Sequence, residues 1–153
     1  MSRVVIADTS CLIALSHLHL LTLLKRLFDT VSVTPIVVSE FGQELPDGLN
    51  IEIPLNEIQH ELLKRVLDAG EASALALALE RPGSLLLIDE RKGRRVAQQH
   101  GIAIAGTLRL LLEAKQRGWI PSLRVCLNEL KRIGFRTSAK IEAEVLSLAG
   151  ETP

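Results

Sequence analysis

The chain has no tyrosine, one tryptophan and three phenylalanines among its 153 residues. That poverty of rings excludes base stacking as its main way of holding a single-stranded nucleic acid. Its two cysteines, Cys11 and Cys126, are too isolated for a disulfide framework or a zinc-ligand pair. Both read as small buried hydrophobes in a reducing compartment. No apolar run reaches the roughly 18 residues of a membrane span, and the first residues lack the basic region and cleavage site of a secretory signal. The expectation is a cytoplasmic protein with no membrane association. Repeats, low-complexity tracts and linkers are absent as well. The length and an apolar content of 47% therefore suit one domain over residues 1–153, with helices near 122–148 as a C-terminal extension.

Net charge is also missing, with 18 Lys and Arg against 18 Asp and Glu, but the balance is uneven along the chain. Residues 1–90 hold 13 acids and 6 bases, whereas residues 91–153 hold 5 acids and 12 bases. Such a split is either surface decoration or an acidic metal site beside a cationic face for a polyanion. Charge alone leaves both open.

What is present is a regular alternation of short apolar strands and helical segments. Val4 to Ala7 reads as a buried strand, followed by a helix that Asp8, Thr9 or Ser10 caps. A second helix is expected over Leu18–Phe28 and a second strand at Val31 and Val33. Thr34-Pro35 is a good helix start, although Ile36-Val37-Val38 keeps a strand open as the alternative. Ile51-Glu52-Ile53 reads as a brief edge strand and Asn56–Leu67 as a helix. An alanine-rich helix begins at Gly70-Glu71, and Leu85–Ile88 is the clearest buried strand. Arg91–His100 is helical, Ile102–Ala105 a strand, and Thr107–Arg117, Ser122–Ile133 and Ser138–Leu148 helices. Alternation of this kind indicates an α/β fold with a mostly parallel sheet.

In open parallel sheets, ligands bind beyond the carboxyl ends of the strands. Asp8 directly follows the first strand and Asp89 the later buried one. Glu71 lies in the first turn of a small-faced helix, and Glu40 in the helix begun by Thr34-Pro35. Taken one at a time, each has an ordinary explanation as a cap, a partner of a helix dipole or a surface residue. Taken together, four carboxylates flanked by apolar residues form a hard-oxygen set suited to Mg²⁺ or Mn²⁺ and not to Zn²⁺, since no His or Cys joins them. His17, His19, His60 and His100 share no spacing. A divalent ion among such acids supports hydrolytic phosphoryl transfer.

These residues carry a resemblance to a known family. IADTSCLIAL with Asp8, VTPIVVSEF with Glu40, GEASALALALE with Glu71 and LLLIDERKGRRVAQQHGI with Asp89 resemble, in order, the acid motifs of the PIN domain family of metal-dependent ribonucleases. The likeness covers residues 1–120, and the tail resembles a prokaryotic PIN-like subfamily associated with toxin–antitoxin operons. The resemblance implies a three-layer α/β/α sandwich with Pro35–Phe41 helical. It implies an endoribonuclease whose Asp8, Glu40, Glu71 and Asp89 bind Mg²⁺ or Mn²⁺ and cut RNA. It further implies a homodimer silenced by a small antitoxin. The third acid departs from the pattern, being Glu71 where many relatives have Asp.

Around those acids, Ser10 is a secondary catalytic candidate that would orient Asp8. Arg91, Lys92, Arg94 and Arg95 are candidate RNA-phosphate contacts, with a solvated helix face as the alternative. Glu90 is expected to face solvent and Thr107 to be a helix cap. Two competing functions remain. An aspartyl phosphatase of the haloacid-dehalogenase type also starts with a strand and Asp, but it wants a second Asp where Ser10 stands. A catalytically degenerate PIN-like domain would bind RNA or a protein without cutting.

Overall fold

The computed structural model describes residues 3–152. In chain order these form β1 (Val4–Ala7), α1 (Thr9–His17), α2 (Leu23–Leu27), β2 (Thr30–Val33), α3 (Pro35–Phe41), β3 (Asn50–Ile51) and α4 (Glu57–Lys64). The second half continues with α5 (Ala69–Leu79), β4 (Leu85–Leu87), α6 (Arg91–Gln99), β5 (Ala103–Ala105), α7 (Thr107–Gln116), α8 (Leu123–Arg132) and α9 (Ala139–Leu148). The five strands make one all-parallel sheet in the order β3-β2-β1-β4-β5. From β1 the chain first builds outward through β2 and β3, then returns to the other side of β1 for β4 and β5. The β1–β4 boundary is thus the switch point of the sheet, where a crevice opens beyond the carboxyl ends.

β1, β2 and β4 are short and almost wholly buried, which explains why they read as apolar runs, whereas β5 is half-buried and the edge strand β3 is exposed. α5 is buried along nearly its whole length, Gly70 to Ala78, and packs on β1 and β4 with α3 and α4 against it. Its Ala, Gly and Ser residues let its backbone come close to the sheet. α1, α2 and α7 make the second helical group, and α8 and α9 pack on α7. The arrangement is the expected three-layer α/β/α sandwich. Leu123, Leu130 and Leu146 of α8 and α9 join the same apolar cluster as β1 and β4. Among the described residues no helix is long and apolar enough to cross a membrane.

Three local outcomes differ from the pattern of the sequence or decide between its alternatives. The helix expected over 18–28 is reduced to α2, because His19 takes a left-handed φ of 58°. The His19 and Leu20 amides then donate to Ser16 O and Leu15 O, the paired closure that ends a helix. Pro35–Phe41 is helical despite its β-branched residues. The Thr34 side chain accepts from the Val37 amide at 3.2 Å, proline fills the first turn, and Gly42 closes the helix at φ 64°. The edge strand is two residues, Asn50–Ile51, with the Glu52 amide adding one bond to Val33 O; Ile53 lies outside it.

The register sets the strand ends level. Ala7 pairs with Leu87, and Leu87 with Ala105. One further ladder bond on each side, Asp8 N to Leu87 O and Ile88 N to Ala105 O, both 2.9 Å, carries the pairing to the residues that follow. Asp8, Asp89 and Thr107 therefore emerge along one edge.

At the opposite end of the chain, Glu151 fastens α8. Its carboxylate accepts from the Leu123 and Arg124 amides at 2.6 and 3.1 Å and pairs with Lys115 at 3.1 Å. Partial burial works against ionisation, but these donors outweigh it and hold the Glu151 pKa down at about 2. A folded pKa below the ordinary value of 4.5 adds stability above pH 4.5 that is lost as pH falls through about 2. Glu151→Gln is expected to cost on the order of 1 kcal/mol at pH 7 after allowance for solvent screening. That is a fall of about 2–4 °C in Tm, shrinking toward zero at pH 2. A pH series of thermal melts checks it.

Candidate active site: an acidic depression at the head of the sheet

Beyond the ends of β1 and β4 lies a depression of about 340 Å³, lined by five carboxylates, Asp8, Glu40, Asp68, Glu71 and Glu90, together with Thr9, Ser10 and Ile13. Of the four acids singled out in the sequence, Asp8, Glu40 and Glu71 meet here. Asp89 stands at the expected place after β4 but is not part of the lining. Among the described residues, no three acid, His or Cys side chains are set about one point as a finished ion cage.

Three of the four acids, Asp8, Glu40 and Asp89, are each bound by a hydroxyl. Ser10 Oγ donates to Asp8 Oδ2 at 2.9 Å and accepts from the Asp89 amide at 3.2 Å, so it joins the two strand ends. Thr9 Oγ1 donates to Glu40 Oε1 at 2.7 Å. Thr107 takes both oxygens of Asp89, its amide at 2.8 Å and its hydroxyl at 2.6 Å. Asp89 thereby caps α7, whose own N-cap residue, Gly106, has no side chain to do so. Thr107 is buried, and its hydroxyl also lies 3.5 Å from Cys11 Sγ. Burial chiefly, with the charge of Asp89, pushes the Cys11 thiol far up, so it is inert packing.

Glycines clear the space for these side chains. A Cβ on Gly70 would fall 1.9 Å from Glu40 Oε1, and one on Gly93 would fall 2.7 Å from Glu71 Oε2. One on Gly106 would meet Asp89 Oδ1 at 2.9 Å. Gly93 interrupts a basic helical run at a cost of about 1 kcal/mol relative to Ala, and that interruption was the sequence signal of a close approach.

Two buried oxygens in the depression have no protein partner among the described residues, Asp8 Oδ1 and Glu71 Oε2. Asp8 is 2% exposed and Glu71 7%. Desolvation raises the Asp8 pKa to about 6, against the lowering effect of Ser10, and the charge of Asp68 adds to the rise. Glu71 rises to about 8, through burial first and then through the adjoining Asp68 carboxyl, with Asp8 and Glu90 adding like charge. Such oxygens call for a proton or a cation. An all-oxygen donor set fits Mg²⁺ or Mn²⁺, so the residues present suit a hard divalent ion.

Sequence reasoning passed over Asp68 and gave Glu90 to solvent; the structure turns Glu90 toward the depression while leaving it exposed. The signal for Asp68 was its spacing, since Asp-x-x-Glu at a helix start is a capping pattern. Its Oδ1 indeed accepts from the Glu71 amide at 2.9 Å. The four basic residues divide. Arg91, Lys92 and Arg95 are exposed on α6, while Arg94 is half-buried, with Nη1 3.4 Å from Ile88 O and over Gly106. A second hollow, about 350 Å³ beside α4, is lined by Ile58, Leu62, Leu63 and polar residues but no carboxylate.

The model of the DUF3368 family, described as a PIN domain, matches residues 4–151. The chain belongs to the PIN domain family. No curated protein matches it. PIN domains are nuclease-type folds, so a hydrolase of that broad kind is the class in which this chain falls. The acidic depression at the switch point of its sheet gathers five carboxylates.

The buried acids make a stability prediction. Carboxyls with raised folded pKa values stabilise fully below the ordinary values of 3.8 and 4.5, and that support is lost as pH rises through about 6 and 8. Cation-free protein should therefore lose stability between pH 4 and 8. Asp8→Asn should raise Tm at pH 8, by up to about 3 kcal/mol in stability, and have no such benefit at pH 4. Melts in the presence of a chelator decide it.

Proposed function

We propose that this PIN domain is a divalent-cation-dependent endoribonuclease. The observation that carries the reading is the pair of buried, unpartnered oxygens, Asp8 Oδ1 and Glu71 Oε2, facing a depression at the sheet's switch point. Asp8, Glu71 and Glu40 would hold Mg²⁺ or Mn²⁺, from the end of β1, from α5 and from α3. When bound, the ion supplies positive charge against a phosphodiester and acidifies nearby water. Ser10 keeps Asp8 Oδ2 occupied, which leaves Oδ1 as the oxygen free to bind. Asp89, held by Thr107 and tied to Ser10 through its amide, keeps the two strand ends level. Hydrolysis adds a water oxygen to phosphorus and breaks the bond to the 3′ oxygen, which leaves a 5′-phosphate and a 3′-hydroxyl.

Arg91, Lys92 and Arg95 follow Glu90 along the exposed face of α6 and take the RNA phosphates that flank the cut; Arg94 supports them from below. With few aromatic rings, RNA is gripped by its backbone. We carry the toxin–antitoxin setting as part of the same reading: a homodimeric chain whose expression arrests growth in the cytoplasm until a small antitoxin binds it.

The test is cleavage of labelled RNA by the purified chain with Mg²⁺ or Mn²⁺, with and without chelator. Asp8→Asn and Glu71→Gln are expected to lower the rate by at least ~10²-fold, the scale on which loss of one preorganised electrostatic group is felt, with the fold intact by circular dichroism. Cleavage at equal rates by wild type and both variants rejects the enzyme. Binding of RNA without cleavage under every metal condition establishes the degenerate, binding-module alternative instead.

A further inference from the structure

Asp68 Oδ1 accepts from the Glu71 amide at 2.9 Å, and both side chains line the depression. Two carboxyls lining one depression repel each other unless a proton or a cation stands between them. Asp68 is exposed on the rim of the depression, which leaves it open to a ligand entering from solvent. Independently, Asp8 Oδ1 and Glu71 Oε2 are buried in the same depression without a partner. The Glu40 carboxylate also lies against the first turn of α5, close enough for a Cβ on Gly70 to strike it. Four acids from β1, α3 and the start of α5 thus surround one opening.

Asp89 is placed differently. Its two oxygens are bound by the Thr107 amide and hydroxyl at 2.8 and 2.6 Å, and it does not line the depression. It does for α7 what Asp68 does for α5, but its carboxylate is used up on both oxygens.

We propose that Asp68 is a direct ligand of the divalent cation, filling the fourth acid position alongside Asp8, Glu40 and Glu71, and that Asp89 is a positioning residue. This rests on the metal-dependent reading given above. Asp68 serves two roles at once, with one oxygen capping α5 and the other facing the ion. The separation of roles is what makes it testable, because Asn and Ser are as good as Asp at an N-cap. Asn56 already caps α4 in this way, accepting from Gln59 N at 3.0 Å.

The experiment is calorimetric titration of the full chain with MnCl₂, backed by the Mn²⁺-induced rise in Tm, for wild type, Asp68→Asn, Asp68→Ser and Asp89→Asn. Both Asp68 variants are expected to keep the wild-type fold and metal-free Tm within a few degrees yet bind Mn²⁺ at least ~10-fold more weakly. Asp89→Asn is expected to bind within a few-fold of wild type. Wild-type affinity in both Asp68 variants overturns the proposal and leaves the enzyme reading standing. So does a loss in Asp89→Asn as large as in Asp68→Asn with the fold retained. Failure of the wild-type chain to bind Mn²⁺ at millimolar concentration overturns the metal-dependent reading and this proposal with it.

Discussion

The hydroxyl of Ser10 holds two strand ends together: it donates to Asp8 after β1 and accepts from the amide of Asp89 after β4. Those strands are neighbours only because the chain reverses its direction of growth there, so no loop crosses over their ends. The level register, with Ala7 opposite Leu87, is what brings both residues within reach of one side chain. From this junction the rest of the site follows. Thr9, the next residue along, reaches Glu40 of α3, and Asp89 turns outward to seat the start of α7. Two adjacent hydroxyls in a hydrophobic run thus connect four elements.

Assembly of the depression runs against the stability of the fold. A domain of this kind has only about 5–15 kcal/mol in hand, and it places two buried acids, each with an oxygen unpartnered, beside three more carboxylates. The backbone has been shaped to permit this. Gly70 and Gly93 stand where a methyl group would strike the Glu40 and Glu71 carboxylates. Both glycines sit in helices, where glycine is the poorer choice on propensity alone. Giving up helix stability to admit an acid is the reverse of what packing would favour, and it is the pattern expected where a ligand is to supply the missing charge.

The sheet was readable in the sequence because buried parallel strands are continuous apolar runs; Thr34-Pro35 marked the start of α3, but Ile36-Val37-Val38 left a strand open there and only the family resemblance decided for helix. α2 was misjudged since His19, not glycine, takes the left-handed turn that ends α1, and nothing local marks a histidine for that conformation. Asp8, Glu40 and Glu71 were legible from their positions after a strand and on small-faced helices. The attachment of Asp89 to Thr107 was not, because it depends on how closely α7 approaches β4, a tertiary distance between residues 18 apart. Asp68 was hidden by its own plausibility: a capping aspartate already has a reason to be there, so a second use for its other oxygen leaves no extra mark.

The uneven charge of the chain takes on a different meaning once its partners are known. In the basic half, Lys115, Arg117, Lys131 and Arg132 are engaged by Glu151, Glu113, Glu142 and Glu129. Four of the twelve bases in that half are therefore offset locally, whereas Arg91, Lys92 and Arg95 project into solvent immediately after the acids. Negative and positive charge then lie side by side along the start of α6. A polyanion drawn to α6 meets repulsion at the depression within a Debye length of about 8–10 Å. On the proposed reading the cation removes that repulsion, so the ion and the RNA bind with mutual support: each makes the other's position less costly, by the same factor in both directions. The acids that weaken the empty fold are then what makes substrate entry conditional on the metal.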